Sequence, residues 1–328
     1  MLYLFIFSLN LLTSFNFIQH TSAAPVSVTK IEEEQYYEFL DHHNQEAHEL
    51  LMDLVKKDDD GWTFVSNKNG VVVNRRYLPA GSFVNKLDAL AGAKHACVKA
   101  TGIIDAPPDL VFKLFLDNSR VSEYNEHCVD VHDVKYFNGS PKNWVKLTWA
   151  RGPKYGPFKP RDFCSYVAYY KRDDGTRIVL NRPGYHSNYN PSNEHVRATV
   201  LLAGNIMEPY GKNGKQTKYT QIAHVNPGGA TDNSAMAFII NSLCAVGPPT
   251  FIRKLEKAAH KLRDEELEIK SNKNRLINNM PNSIASGLSS GLSSGLSGIQ
   301  ERIQSVTEFN KIRLPAFNLP KASFGNWK

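Results

Sequence analysis

Apolar and aromatic residues fall in short alternating runs through the middle of the chain, and each run ends at glycine, proline or clustered polar residues. Residues 160 to 170, Pro-Arg-Asp-Phe-Cys-Ser-Tyr-Val-Ala-Tyr-Tyr, read as a turn feeding a strand. Proline fixes the backbone, and the aromatic and β-branched residues after it suit a pleated, half-buried surface. Asp173-Asp174-Gly175 reverses the chain, and extended runs follow at 177–183, 196–209 and 219–229. Four strands joined by short connections predict an antiparallel meander. Trp144 to Arg151 reads as a further strand, and Ala106 to Leu116 as a helix with proline near its N-terminus. Helical spacing appears at both ends: residues 32–57 are amphipathic, and residues 232–270 carry the stripe Met236, Ile239, Ile240 and Leu243. After a break at Gly247-Pro248-Pro249, that second stretch resumes with Phe251, Leu255, Ala258, Ala259 and Leu262.

The order of these elements carries a family resemblance. Pro160-Arg161-Asp162-Phe163, then Val196-Arg197-Ala198 with Gly204-x-Ile206-x-Glu208-Pro209, then a run closing in Asn226-Pro227-Gly228-Gly229, then a long C-terminal helix resembles a START lipid-binding domain. The resemblance spans residues 35 to 265. Gly61-Trp62 followed by Gly70 to Arg76 resembles the first hairpin of that family. The order helix, strands, short helices, strands, helix is α+β. The resemblance implies a helix-grip START fold, a curved antiparallel sheet wrapped around the C-terminal helix and enclosing an apolar tunnel. The chain is accordingly divided into residues 1–24, a START domain with an N-terminal helix at 25–265, and a tail at 266–328.

Charge changes the picture once it is divided. From Lys270 onward eight Lys or Arg stand against Glu301 and Glu308, so residues 270–328 carry +6 of the net +7. A nearly neutral domain argues against nucleic acid as the main partner, which needs a basic face on the fold itself. The 41% hydrophobic and 11% aromatic content of 328 residues suits one large globular domain with appendages, expected to be a monomer.

Leu2 to Ile18 is apolar and aromatic, and Thr21-Ser22-Ala23-Ala24-Pro25 supplies small residues of the kind signal peptidase accepts. Residues 1–24 read as a signal peptide, cut after Ala23 in preference to Ala24 because the latter leaves Pro25 first. A basic n-region is missing, and an uncleaved anchor or a buried apolar arm are the alternatives. The expected location is outside the cell or in the endomembrane lumen, with peripheral membrane association. Cys97, Cys128, Cys164 and Cys244 are too scattered for a staple framework and read as buried apolar thiols.

No metal, cofactor or catalytic set is expected. His42-His43 stand six and five residues from His48, not the three or four that place two imidazoles on one helix face, so all three read as surface residues. Asp58-Asp59-Asp60-Gly61 opens like a calcium loop, but Asn69 stands where the bidentate glutamate belongs. Nucleophile-elbow, phosphate-loop and Cys-x-x-Cys patterns are missing.

A tunnel would hold one amphiphile, each buried methylene contributing about 0.8 kcal/mol, with a few polar groups receiving the head. Residues interrupting the apolar strands are the lipid-binding candidates: Thr148, Arg151, Asn181 and Arg182, with the hydroxyls of Tyr166 and Tyr219. Met236, Ile239 and Leu243 join them from the helical stripe, beneath which entry should run. Alternation places Phe163, Ser165, Val167 and Tyr169 on one face and Cys164, Tyr166, Ala168 and Tyr170 on the other, without saying which faces inward. Each candidate has a plainer reading: Arg182 exposed at a strand end, Glu208 paired with Arg197, the tyrosines ordinary sheet residues. Sterol-carrying members of the family use an acid and an arginine on neighbouring strands, and those positions fall near Thr148 and Val167. The resemblance therefore implies phospholipid, ceramide-like lipid or fatty acid ahead of a sterol.

In the tail, Ser-Gly-Leu-Ser occurs three times between Ser286 and Ser297, and Ile284, Leu288, Leu292, Leu296, Ile299, Ile303 and Val306 recur at helical steps. Glycine and serine make a poor helix in water, so the tail reads either as disordered or as a helix that forms on a membrane, with Leu288, Leu292 and Leu296 in contact. The functional expectation is a non-enzymatic carrier that binds one lipid and moves it between membranes. The alternatives are a lipid-gated sensor or adaptor and, further off, an acyl-thioester hydrolase. Lipid and membrane surface are the expected partners.

Overall fold

The computed structural model describes residues 44–56, 61–78, 94–140, 143–154, 159–229, 241 and 246–278. Nine strands join in one sheet: β1 (Thr63–Lys68), β2 (Val71–Arg76), β3 (Cys97–Ile104), β4 (Asp130–Ser140), β5 (Asn143–Arg151), β6 (Arg161–Lys171), β7 (Arg177–Pro183), β8 (Val196–Tyr210) and β9 (Gln216–Asn226). Their order is β1-β2-β3-β9-β8-β7-β6-β5-β4 with every neighbouring pair antiparallel, so the expected meander from β6 to β9 is present. A short parallel contact of Arg161–Phe163 with Val196–Ala198 joins β6 to β8 past the end of β7. β9 stops at Asn226 because Pro227 has no N–H to give a ladder. The first hairpin turns on Asn69 and Gly70, whose φ values of 54° and 69° fall where Asn and Gly are tolerated.

Among the described residues the sheet is accompanied by α1 over residues 44–56, α2 (Pro108–Leu116), α3 (Val121–Tyr124) and α4 (Gly247–Asn278). α2 begins on prolines, whose missing N–H groups cost nothing in a first turn. The same holds for α4: Pro248 and Pro249 lie in its first turn, at the place where a break between two helical stretches was expected, and it runs on past Lys270. Residue 241 is helical as well. Residues 1–267 form one compact unit and residues 268–328 a second, of which the end of α4 is the described part.

The sheet has two differently covered faces. On the inner face, Val71, Val73, Val98, Ala100, Val167, Tyr169, Val179, Met207 and Tyr219 pack with Leu110, Val111 and Leu114 of α2 and Ile252, Leu255 and Ala259 of α4. On the outer face, Ala47, Leu51 and Leu54 of α1 lie on Tyr166, Ala168, Ile178, Leu180, Leu202, Ile206 and Ile222. Each such leucine stabilises the fold by about 1.5–3 kcal/mol on burial. α1 approaches closely because Gly204 has no side chain; a Cβ there would stand 2.3 Å from Cδ1 of Leu51.

Of the four cysteines read as buried thiols, Cys97 and Cys164 are buried, Cys128 is only half-buried, and Cys244 lies outside the described residues. His48 is half-buried against the ring of Tyr170, 4.7 Å away, rather than fully at the surface. Burial, followed by the charge of Arg172, lowers its pKa. Arg197 pairs with Asp162 at 3.0 and 2.7 Å, and Glu208 lies beside Lys218, so the plainer reading that paired Glu208 with Arg197 does not hold.

Candidate functional site

Directly opposed residues of antiparallel strands share a face, so the register sorts the inner face into rows. The row nearest α2 contains Gly102, Tyr219 and Met207. The next contains Ala100, Gln221, Asn205, Val179, Tyr169 and Trp144. A third runs Arg75, Val98, Ala223, Ala203, Asn181, Val167 and Lys146, and a fourth includes Val225 with Val200 and then Pro183, Ser165, Thr148 and Asp133.

The first two rows are almost wholly buried. The third and fourth are not. Ala203, Ala223, Asn181, Val200 and Val225 are only half-buried, although each lies on a strand flanked on both sides. On the outer face of the same strands Leu180, Leu202, Ile222 and His224 are fully buried. Interior strands with one sealed face and one partly open face, and with two alanines at the middle of the open row, form a partly exposed floor on the inner face.

Polar groups stand on that floor in two sets. In the first, Oδ1 of Asp133 accepts from Nζ of Lys146 at 2.7 Å, Nδ2 of Asn118 at 2.9 Å and Oγ1 of Thr148 at 3.2 Å, and Oδ2 accepts from the Tyr136 hydroxyl at 2.5 Å. Lys146 is 4% exposed and also stands over the ring of Tyr169. Burial acts to raise the Asp133 pKa, but the Lys146 ammonium, then the Tyr136 hydroxyl and Asn118, outweigh it and hold the carboxyl below its ordinary value. Four donors on one carboxylate leave it little further to accept, so this set braces β4 against β5. In the second set, the Tyr219 hydroxyl donates to Oδ1 of Asn205 at 2.6 Å, and Nε2 of Gln221 donates to the same oxygen at 3.4 Å. Burial places the Tyr219 pKa far above its ordinary value, so the phenol keeps its proton.

A second cation, Arg75, stands at the opposite end of the third row from Lys146. Among the described residues Arg75 makes a 3.5 Å hydrogen bond from Nη1 to the Asn241 carbonyl. Asn241 is itself held, its Nδ2 donating to the Lys94 carbonyl and its Oδ1 accepting from the Ala96 N–H, both at 2.8 Å.

Of the sequence candidates, Thr148, Asn181 and Tyr219 lie on the inner face, with Val167 beside them. Arg151, Tyr166 and Arg182 do not. Tyr166 is buried in the outer cluster against Phe137, Arg182 is its cross-strand partner, and Arg151 shares the outer face with Asp162. Alternation fixes this: Tyr166 is one residue from Val167, and its neighbours follow it to the other side. Met236, Ile239 and Leu243 lie outside the described residues, as do Leu288, Leu292 and Leu296. Asp133, Lys146, Asn205, Gln221 and Arg75 were missed. Each is a polar interruption in an apolar strand, the signal that selected Asn181, but their grouping depends on register across several strands.

Comparison with known proteins bears on this geometry. The model of the START domain family matches residues 42–265. A curated relative, Protein ENHANCED DISEASE RESISTANCE 2-like from Arabidopsis thaliana, is 27% identical over 179 residues. The match takes in 50% of this chain and 22% of the relative, so the chain spans about a fifth of that protein's length. Among solved structures, human STARD10 superposes with a TM-score of 0.53 at 16% identity, covering 75% of this chain and 86% of the other. Human StAR-related lipid transfer protein 5 superposes with a TM-score of 0.54 at 17% identity, covering 68% and 99%. At such identities these structures establish the fold alone.

Proposed function

The chain belongs to the START family, which implies lipid binding, and on that footing we propose that it is a non-enzymatic carrier that holds a single lipid on the inner face and moves it between membranes. The observation that carries this reading is the half-buried floor around Ala203 and Ala223, sealed from behind by α1 and open in front. Small side chains there leave room for acyl chains, whose transfer from water drives binding.

A phospholipid fits better than a sterol. Thr148 and Val167 supply neither the acid nor the arginine that the resemblance associates with sterols, and Asp133 is already saturated. Arg75 favours a phosphate, since a guanidinium offers five donors in a fixed fork and the carbonyl of Asn241 occupies one. We place the protein as a monomer with no cofactor, directed by residues 1–24 to the endomembrane lumen or outside the cell. There the leucines 288, 292 and 296 of the tail would meet the membrane.

Mixing the purified full chain with donor vesicles containing fluorescent phospholipid and unlabelled acceptors tests the reading. Transfer should rise in proportion to protein and exceed transfer of a fluorescent sterol. Label that stays in the donors, or hydrolysis of an acyl thioester in its place, would overturn the proposal.

A further inference from the structure

Buried polar atoms in folded proteins almost always have a hydrogen-bond partner, so an exception on a binding surface points to what is missing. Gln221 is 7% exposed and its neighbour Asn205 is 8% exposed, both in the second row of the inner face, beside the open third row. Among the described residues, Oε1 of Gln221 is buried and has no partner. The contrast with Asp133 in the fourth row is direct: that carboxylate has four donors, and this amide oxygen has none.

The orientation of the amide follows from its surroundings. Oδ1 of Asn205 accepts both from Tyr219 and from Nε2 of Gln221. Turning both amides over would leave the Tyr219 proton and the Gln221 NH2 group without acceptors, so the arrangement with a spare oxygen satisfies more groups. That oxygen calls for a donor. The donor should be uncharged, because Asp133, the one inner-face strand acid among the described residues, is already paired with Lys146 and cannot balance an ammonium.

Resting on the lipid-carrier reading, we infer that Gln221 receives a hydroxyl on the head of a phospholipid whose phosphate faces Arg75, which selects polyol headgroups such as glycerol or inositol over choline. Arg75 is two strands and one row from Gln221, about 12 Å between backbones at ordinary sheet spacings. Two long side chains can bracket one headgroup over that distance. Asn205 and Tyr219 act as positioning residues, fixing the Gln221 amide so that its oxygen is presented and its nitrogen occupied.

The experiment uses the full chain equilibrated with phosphatidylcholine vesicles that contain equal mole fractions of phosphatidylglycerol and phosphatidylmethanol. These two share charge and phosphate and differ in the hydroxyls. A parallel set replaces phosphatidylglycerol with phosphatidylinositol, and native mass spectrometry reads the lipid bound. The hydroxyl lipid should exceed phosphatidylmethanol about fivefold, the worth of one net buried hydrogen bond. Gln221→Leu should bring the ratio close to one, whereas Arg75→Gln should lower both anionic lipids together. Equal binding of the two by the wild-type chain overturns the inference and leaves the carrier reading standing. The wild-type ratio decides the matter even if Gln221→Leu fails to fold. A wild-type chain that takes up no phospholipid overturns the carrier reading instead.

Discussion

Ala203 and Ala223 carry much of the account at the scale of single residues, because they are small where larger side chains would close the floor. Ala203→Phe directs a ring into the open region. It should cut lipid transfer more than tenfold while shifting Tm by only a few degrees, measured by vesicle transfer and thermal unfolding. Retained transfer would mean that lipid binds elsewhere. Lys146 makes a different prediction. Replacing it by Met leaves the half-buried Asp133 carboxylate without its cation, at a cost of about 1.5–3 kcal/mol near neutrality. The pH dependence has a definite sign. The folded Asp133 pKa lies below its unfolded value, so its contribution is complete above about pH 4 and is lost as pH falls through the folded value. The stability gap between wild type and Lys146→Met should therefore narrow in acid, as read by denaturant unfolding at a series of pH values. A gap independent of pH would assign the cost to lost packing.

At the scale of elements, α1 and the sheet are fitted to each other at Gly204. Gly204→Ala should destabilise the protein by about 1–3 kcal/mol, since the new methyl meets Leu51 at far less than contact distance. Leu51→Ala in the same chain should recover part of that loss, and strictly additive costs in denaturant melts would contradict the packing described. The strands themselves were legible, because alternation, the Asp173-Asp174-Gly175 reversal and the ladder-ending Pro227 are local signals. The start of α4 was only partly so. Two prolines in sequence can end a helix or begin one, and local pattern does not distinguish the cases. Which strand face turns inward was not legible at all. It is set by where α1, α2 and α4 pack, so Tyr166 and Arg182 looked as eligible as Asn181 until the register was known.

At the scale of the whole molecule, the order of motifs from Pro160 to Gly229 was enough to give the family and the α+β class, because both depend on sequence order. The polar floor depends on long-range pairing: Gln221 meets Asn205 through the β8–β9 register, and Asp133 meets Lys146 through a β4–β5 ladder that shifts at Asp133/Lys135. Charge division also belongs to this scale: residues 270–328 carry +6 of the net +7, which leaves the rest of the chain nearly neutral. The most direct measurement is native mass spectrometry of the full chain, purified from its own cells and then incubated with phospholipid vesicles. The account predicts the mass of the chain plus one intact phospholipid; the mass of the chain alone after that incubation would contradict it.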